Sequence, residues 1–210
     1  MSRELSKLVP YEVAIVLAIA LLPLPVAIPT ALPLVIAASI SRTIRRRNWG
    51  EVSHGGISRL GVGLLAGAIA LGVALLAGSQ SLHVLYSGQA GEHIIAVTDL
   101  ASSSAQPGTI AIGVVAIGLV AFATELALRG WIVERVLELS PGSPVLPILV
   151  GALAEALITR GDPQVRLAAV VFGAGLGWLY VAGKRSVVAP AWARIVFQCG
   201  AFLLEALRVV

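Results

Sequence analysis

Long uncharged stretches alternate along the chain with short segments rich in proline, glycine and charge. Leu60 to Gly78 carries no ionisable side chain, and neither does Leu100 to Thr124. A membrane-spanning helix needs about 20 consecutive apolar residues, whereas a soluble helix shows only an apolar stripe on one face. The pattern therefore predicts an all-α protein, a polytopic transmembrane helical bundle of about seven spans.

The first apolar stretch, Val13 to Ser41, is interrupted by four prolines. They are Pro23, Pro25, Pro29 and Pro33. The stretch is longer than one span and shorter than two ideal spans. Because proline kinks or ends helices, we predict a tight hairpin of two helices near 9–23 and 29–45. A single kinked span over 13–41 is the alternative.

The remaining spans follow from the later apolar runs. They are predicted near 60–78, 109–139, 145–158, 166–182 and 187–207. A glycine recurs four residues after Gly63 in the third span and after Gly173 in the sixth, a spacing that lets a neighbouring helix approach closely. The polar region 79–108 contains neither Lys nor Arg, and His93 to Leu100 within it is predicted to form a short interfacial helix. Since no repeat or domain boundary interrupts the pattern, 1–210 is predicted to be a single transmembrane domain.

Charge supports a membrane location rather than a nucleic-acid partner. The chain is 58% hydrophobic and 12% charged, about half the charged fraction of a soluble domain. The net charge of +4 comes largely from arginines in loop 42–59. Because basic loops stay on the cytoplasmic side, beside anionic lipid, we expect a multi-pass integral membrane protein with its N-terminus and loop 42–59 cytoplasmic. The lipid bilayer is an expected partner, and nucleic acid is not.

Four ionisable residues fall inside predicted spans: Glu125, Arg129, Glu155 and Arg194. Each would cost about 2.5–3.5 kcal/mol if left unpaired at the centre of a membrane helix. Two are acidic and two basic, and Glu125 and Arg129 share a helix face because they are four residues apart. The charges can pair with one another as a purely structural cluster. They can equally line a polar cavity for a metal, a proton or a substrate, and the pattern leaves both interpretations open.

The positions of the histidines, of Ser41 and of the cysteine do not indicate a metal-dependent or serine-dependent catalytic site. His54, His83 and His93 all fall in predicted loops, whereas an intramembrane zinc site usually takes imidazole ligands. We therefore expect no metal and no cofactor. A serine nucleophile needs a base beside it, and we expect none within reach of Ser41. Cys199 is the single cysteine and cannot form an internal disulfide.

The sequence Glu125-x-x-x-Arg129-Gly130, followed by Trp131, resembles the first motif of the CAAX-protease and bacteriocin-processing membrane family. This family includes the abortive-infection and type II CAAX prenyl proteases, and the similarity covers a core of about residues 110–205. Its first motif reads Glu-Glu-x-x-x-Arg, so Thr124 stands at the first glutamate. The second, Phe-x-x-x-His, is best matched by 150–154, with Ala154 at the histidine.

The third family motif, His-x-x-x-Asn/Asp after a proline, is matched by the segment from Pro190 to Gln198. Arg194 stands at the histidine and Gln198 at the asparagine. Resemblance to the family implies that Glu125 polarises a water and that Arg129 supports the site. The replaced ligands lead to a different hypothesis, in which a salt-bridged cluster of Glu125, Arg129, Glu155 and Arg194 has replaced the catalytic centre.

Three functions remain open on these residues. The first is a non-catalytic integral membrane protein of this type, acting as a scaffold or partner subunit for another membrane protein. The second is an active intramembrane endopeptidase with a divergent centre, in which Glu125 is the general base and Thr124, Glu155 or Gln198 assists. The third is a small proton-coupled transporter built around the same charges.

Overall fold

The structure, a computed structural model, describes residues 8–21, 30–76, 107–140, 142–159 and 163–207. These residues form seven helices of 13 or more residues and contain no strand. The helices are α1 (Val9–Leu21), α2 (Ala31–Ile44), α3 (Ile57–Leu76), α4 (Pro107–Leu139), α5 (Val145–Ile158), α6 (Pro163–Ala182) and α7 (Val188–Ala206). A 3-10 helix, Trp49–Glu51, lies in the loop between α2 and α3. The predicted interfacial helix at 93–100 lies outside the described residues.

The first two helices form an antiparallel pair. Glu12, near the start of α1, accepts hydrogen bonds from Arg45 Nη2 at 2.8 Å and from Ser41 Oγ at 3.2 Å, both at the end of α2. Pro33 lies in the first turn of α2, where proline removes no intrahelical hydrogen bond. The structure thus has the two helices of the hairpin interpretation rather than one kinked span.

Helix length divides the bundle into two groups. Three helices, α3, α4 and α6, are long and apolar enough to cross a membrane. In contrast, α1 and α2 have 13 and 14 residues. A helix of this length rises about 20 Å, less than the roughly 30 Å hydrocarbon core. The predicted helical membrane bundle is confirmed, with shorter helices packed beside membrane-length ones.

Helix α4 changes its geometry part-way along its 33 residues. It is α-helical from Pro107 to Ala127, π-helical from Leu128 to Val133, and α-helical again from Glu134 to Leu139. A π turn accommodates an extra residue and often occurs at functional sites. Here it includes Arg129, so the change in helix geometry falls within the Glu125-x-x-x-Arg129-Gly130 motif.

The contact between α3 and α7 depends on the spaced glycines. A Cβ atom added to Gly63 would lie 2.5 Å from the carbonyl oxygen of Ala189, and one added to Gly67 would lie 2.5 Å from that of Ala193. Only glycine permits this approach of the two backbones. Helix α7 also packs against α4, and α6 packs against α5, so the middle of the bundle is formed by α4, α5 and α7.

Candidate functional site

The four intramembrane charges lie together in the middle of the bundle. Glu125 and Arg129 come from α4, Glu155 from α5 and Arg194 from α7, and each is at most 1% exposed. We call this set the four-charge cluster. Their burial is possible because the i, i+4 pair on α4 faces inward, towards the two helices that carry the other charges.

Arg129 connects α4 to both of its neighbours. Its Nη1 lies 3.1 Å from Oε1 of Glu125 and 2.7 Å from Oε2 of Glu155. Its Nη2 donates a hydrogen bond of 2.8 Å to the carbonyl oxygen of Gly173 on α6. One guanidinium therefore joins three helices, and only its Nε has no partner among the residues that the structure describes.

Arg194 completes a closed ring of charges. Its Nε lies 2.5 Å from Oε1 of Glu125, and its Nη2 lies 2.5 Å from Oε2 of Glu155. Each carboxylate is thus bridged by both arginines, and the formal charges sum to zero. The Cζ atom of Arg194 also lies 5.4 Å from the centroid of the Phe172 ring, a favourable cation–π position. Charge-assisted hydrogen bonds of this kind are the strong ones in proteins.

Gly173 makes this arrangement sterically possible. A Cβ atom added to it would lie 2.9 Å from Cβ of Glu155 and 3.1 Å from Cα of Ala152, so α6 touches α5 directly at the cluster. The same residue supplies the carbonyl oxygen for Arg129. We predicted a close helix approach at Gly173, but its hydrogen bond to the cluster has no signature in the sequence.

The other family-motif positions do not add ligands to the cluster. The Thr124 hydroxyl donates to the carbonyl oxygen of Val120, one turn back on its own helix, at 2.8 Å. Ala154 lies in an apolar cluster with Leu34 and Trp131. Gln198 is buried on α7, one turn after Arg194. Of the family-motif positions we named, the structure therefore brings Glu125, Arg129 and Arg194 into contact.

The donor set does not fit a metal ion. Within the described ranges, no three His, Cys, Asp or Glu side chains lie close enough to hold one. The two carboxylates of the cluster are each engaged by two guanidinium groups, which carry fixed positive charge. His54 lies in the exposed loop before α3, where its Nδ1 is 2.7 Å from the carbonyl oxygen of Glu51.

One carboxylate oxygen of the cluster remains available. Oε2 of Glu125 is buried and has no hydrogen-bond partner among the described residues. A buried carboxylate oxygen without a partner is costly, and an ordered water is its usual partner. Oε2 of Glu125 and Nε of Arg129 are therefore the two buried polar atoms of the cluster that the described residues leave without a partner.

A second buried polar network lies where α2 and α4 end, and sequence reasoning missed it. We had assigned Arg42 to a basic loop, but the structure places it in α2 and buries it. Its Nη1 donates to the carbonyl oxygen of Gly130 in the π turn at 3.0 Å, and its Nη2 donates to that of Asn48. Its Cζ lies 4.7 Å from the centroid of the Trp49 ring. Arg42 thereby fixes the loop to α4.

Arg135 extends this second network and is fully buried. Its Nη1 lies 2.7 Å from Oε1 of Glu138, which also pairs with Arg47 at 2.8 Å. The i, i+3 spacing of Arg135 and Glu138 was the available sequence signal. Ser41 requires a correction as well, because the carboxylate of Glu12 is within its reach at 3.2 Å. Arg45 already binds that carboxylate, so the pair is structural.

The chain was also compared with known proteins. The family model described as type II CAAX prenyl endopeptidase Rce1-like matches residues 106–200. No curated protein and no solved structure matches significantly. The matched segment contains all four residues of the cluster and the π turn. Together with the membrane-length apolar helices, this match shows that the chain is a helical membrane protein whose segment 106–200 is similar to type II CAAX prenyl endopeptidases.

Proposed function

We propose that this protein is a non-catalytic member of the family that acts as a scaffold or partner subunit in a membrane complex. One observation supports the proposal above all others. Arg194, at the position of a family histidine, bridges Glu125 and Glu155 at 2.5 Å each. An arginine remains charged in proteins and cannot exchange a proton as histidine does.

The surroundings of Glu125 also disfavour hydrolysis. A general base must reach the water that it activates, directly or through one further water. Oε1 of Glu125 is occupied by two guanidinium groups, and the whole side chain is 0% exposed. A substrate peptide would have to separate α4 from α7 to reach it. The cluster is thus better suited to holding α4, α5, α6 and α7 together than to opening for a substrate.

A continuous apolar face of α4 offers a contact surface for another membrane protein. Ile112, Val115, Leu119 and Phe122 project from this face and are 40–68% exposed. Their spacing of three or four residues places them in one row along the helix. Since van der Waals packing contributes to helix association in membranes, this row is where we expect the partner to bind.

The unpartnered Oε2 of Glu125 favours a second candidate, an endopeptidase with a divergent centre. An ordered water held there is the single group in the cluster that could attack a peptide carbonyl. The two candidates differ in one measurable property, the dependence of cleavage on Glu125.

A cleavage assay separates these candidates. The family description names prenyl CAAX substrates, so purified protein in lipid nanodiscs is incubated with a prenylated CAAX peptide, and products are measured by mass spectrometry. We expect no cleavage by the native protein or by Glu125→Gln. Cleavage by the native protein that Glu125→Gln abolishes, while the fold is retained in thermal unfolding, would refute the non-catalytic proposal.

The scaffold role is tested by cross-linking in cells. A photoreactive residue is placed at Val115 on the α4 face, and a matched one at Val171, which is similarly exposed on α6. We expect one membrane protein to be captured in fixed stoichiometry from Val115 and not from Val171. Capture must be lost on Leu119→Trp. Identical capture from both positions would count against a specific partner.

A further inference from the structure

We infer that the protein holds an anionic phospholipid in a groove between α3 and α6. The groove has a volume of about 280 Å³ and is floored by Ala189 of α7. Two cations, Arg59 and Lys184, line it together with Ser58, Trp178 and Leu179. We call it the α3–α6 groove. It is separate from the four-charge cluster, and the inference does not rest on the proposed function.

The cations of the groove are not neutralised by any carboxylate in the described part of the chain. Among the residues that the structure describes, neither Arg59 nor Lys184 forms an ion pair with a carboxylate. Arg59 donates through Nη1 to the carbonyl oxygen of His54 at 2.6 Å, which fixes its position and leaves its charge uncompensated. Two uncompensated cations lining one groove attract a group that carries negative charge.

The backbone of the α6–α7 turn holds Lys184 at the groove. Lys184 and Arg185 both adopt positive φ angles, 56° and 61°, which residues other than glycine rarely adopt. Hydrogen bonds stabilise this turn, from Lys184 N to the carbonyl oxygen of Val181 at 3.2 Å and from Arg185 N to that of Tyr180 at 2.9 Å. Arg185 is directed to Glu134, with Nη1 at 3.5 Å from Oε1. Lys184 instead lines the groove.

The remaining walls of the groove suit an acyl chain and the interface above it. Val62 and Leu179 supply apolar surface, and Trp178 is 62% exposed. Tryptophan is favoured at the level of lipid headgroups, where one part of the ring is in apolar surroundings and the other near water. Ser58 and Arg59 lie in the first turn of α3, where the helix dipole also favours negative charge. A phospholipid fits both parts of the groove, because its phosphate would lie beside the two cations and an acyl chain would lie beside the apolar walls.

The end of the bundle that carries the groove also carries the basic loop. Val187 N donates to the carbonyl oxygen of Val52 at 2.8 Å, and Ser186 Oγ donates to that of His54. The α6–α7 turn and the loop before α3 therefore face the same leaflet. If the basic loop faces the cytoplasm, as its charge predicts, this is the leaflet that contains anionic lipid.

The inference is tested with brominated lipids. Bromine on an acyl chain quenches nearby tryptophan, so the protein is placed in nanodiscs of phosphatidylcholine with increasing fractions of brominated phosphatidylglycerol or brominated phosphatidylcholine. Other tryptophans are also quenched, so the part of the quenching that is lost in Trp178→Phe measures the lipid bound in the groove. We expect this signal to saturate at a lower fraction of phosphatidylglycerol than of phosphatidylcholine. Equal quenching by the two lipids would overturn the inference.

Charge variants identify the residues responsible. We expect Arg59→Gln and Lys184→Gln each to weaken phosphatidylglycerol binding about fivefold, and the double variant about 25-fold. Arg46→Gln is the matched control, since Arg46 is exposed, has a φ of 55° and lies at the same end of the bundle outside the groove. An equal effect of Arg46→Gln would show general surface attraction and overturn the site. Displacement of the lipid by millimolar inorganic phosphate would overturn it as well, because it would indicate an anion site without a chain.

Discussion

Arg194 and Glu155 lie 2.5 Å apart, Nη2 to Oε2, although they are 39 residues apart in sequence and come from α7 and α5. With Glu125 and Arg129 of α4 they form a ring in which every charge touches two of opposite sign. Breaking a buried ion pair by removing one partner is strongly destabilising, because it leaves an uncompensated charge. The bundle should therefore tolerate poorly any substitution that removes a single member of the cluster.

Removing one arginine of the cluster should destabilise the protein severely. In Arg194→Met two carboxylates face the single guanidinium of Arg129, and we expect a loss of about 3–5 kcal/mol. Thermal unfolding in detergent micelles measures the change. Arg166→Met is the control, because Arg166 is exposed on α6 and its removal should cost less than about 0.5 kcal/mol. Equal losses in the two variants would contradict the structural role of the cluster.

Restoring neutrality should recover part of this loss. In the double variant Arg194→Met with Glu155→Gln, the remaining charges are Glu125 and Arg129, which still pair at 3.1 Å. We expect the double variant to be more stable than the sum of the single losses by about 0.5–3 kcal/mol, as for residues in one network. A double-mutant cycle in the same detergent gives this coupling energy, and additive losses would show that the two side chains do not interact.

Two glycines of α6 should respond to alanine with opposite signs. Gly173→Ala places a methyl group 2.9 Å from Cβ of Glu155, so we expect overpacking to cost about 1–3 kcal/mol. Gly175→Ala meets nothing within 4 Å, and alanine should stabilise this helix by about 0.5–1 kcal/mol. Unfolding midpoints of the two variants test the pair. Stabilisation by Gly173→Ala would show that α6 and α5 are not in close contact.

The α3–α7 contact gives an independent test of helix packing. Gly67→Ala directs a methyl group to 2.5 Å from the carbonyl oxygen of Ala193, whereas Gly72→Ala on the same helix meets nothing within 4 Å. We expect the first to lower the unfolding temperature and the second to leave it unchanged or raise it. Cysteine cross-linking between α3 and α7 should weaken only in Gly67→Ala. Retained cross-linking in that variant would argue against this interface.

The tyrosine at the basic end of α6 should contribute through its hydroxyl. Tyr180 is fully buried and donates to Oε2 of Glu134 at 2.9 Å. Because hydrogen bonds to charged groups contribute about 1.5–3 kcal/mol, Tyr180→Phe should lower stability by about that amount. Tyr11→Phe is the control, since Tyr11 is mostly exposed on α1. Similar stability of Tyr180→Phe and the native protein would mean that water replaces this hydroxyl.

Much of the helical layout can be predicted from the sequence, because an apolar segment in lipid has few alternatives to a helix. Apolar runs must be helical where water cannot hydrogen-bond the backbone, so Val145–Ile158 was predicted to the residue. Glu125 and Arg129 were identified because ionisable groups inside a span are costly and four residues place them on one face. Arg194 was identified because it lies at the histidine position of the third motif, and it contacts Glu125 in the structure.

Other features depend on three-dimensional contacts that no local pattern encodes. The π turn at Leu128–Val133 differs from an α-helix only in its hydrogen bonding, and its residues are ordinary helix formers with one glycine. Arg42 has the composition of an exposed loop cation, yet it is buried because the carbonyl oxygen of Gly130 lies beside it. The helix predicted near 29–45 spans Ala31–Ile44 in the structure, since apolar composition does not fix where a helix ends.

The neutrality of the four-charge cluster determines how the protein responds to the membrane potential. Moving one elementary charge through the full membrane field is worth about 2.3 kcal/mol per 100 mV. A ring of two arginines and two glutamates, held within hydrogen-bonding distance, presents no net charge to that field. Voltage therefore exerts almost no net force on the centre of the bundle, where the cluster joins α4, α5, α6 and α7.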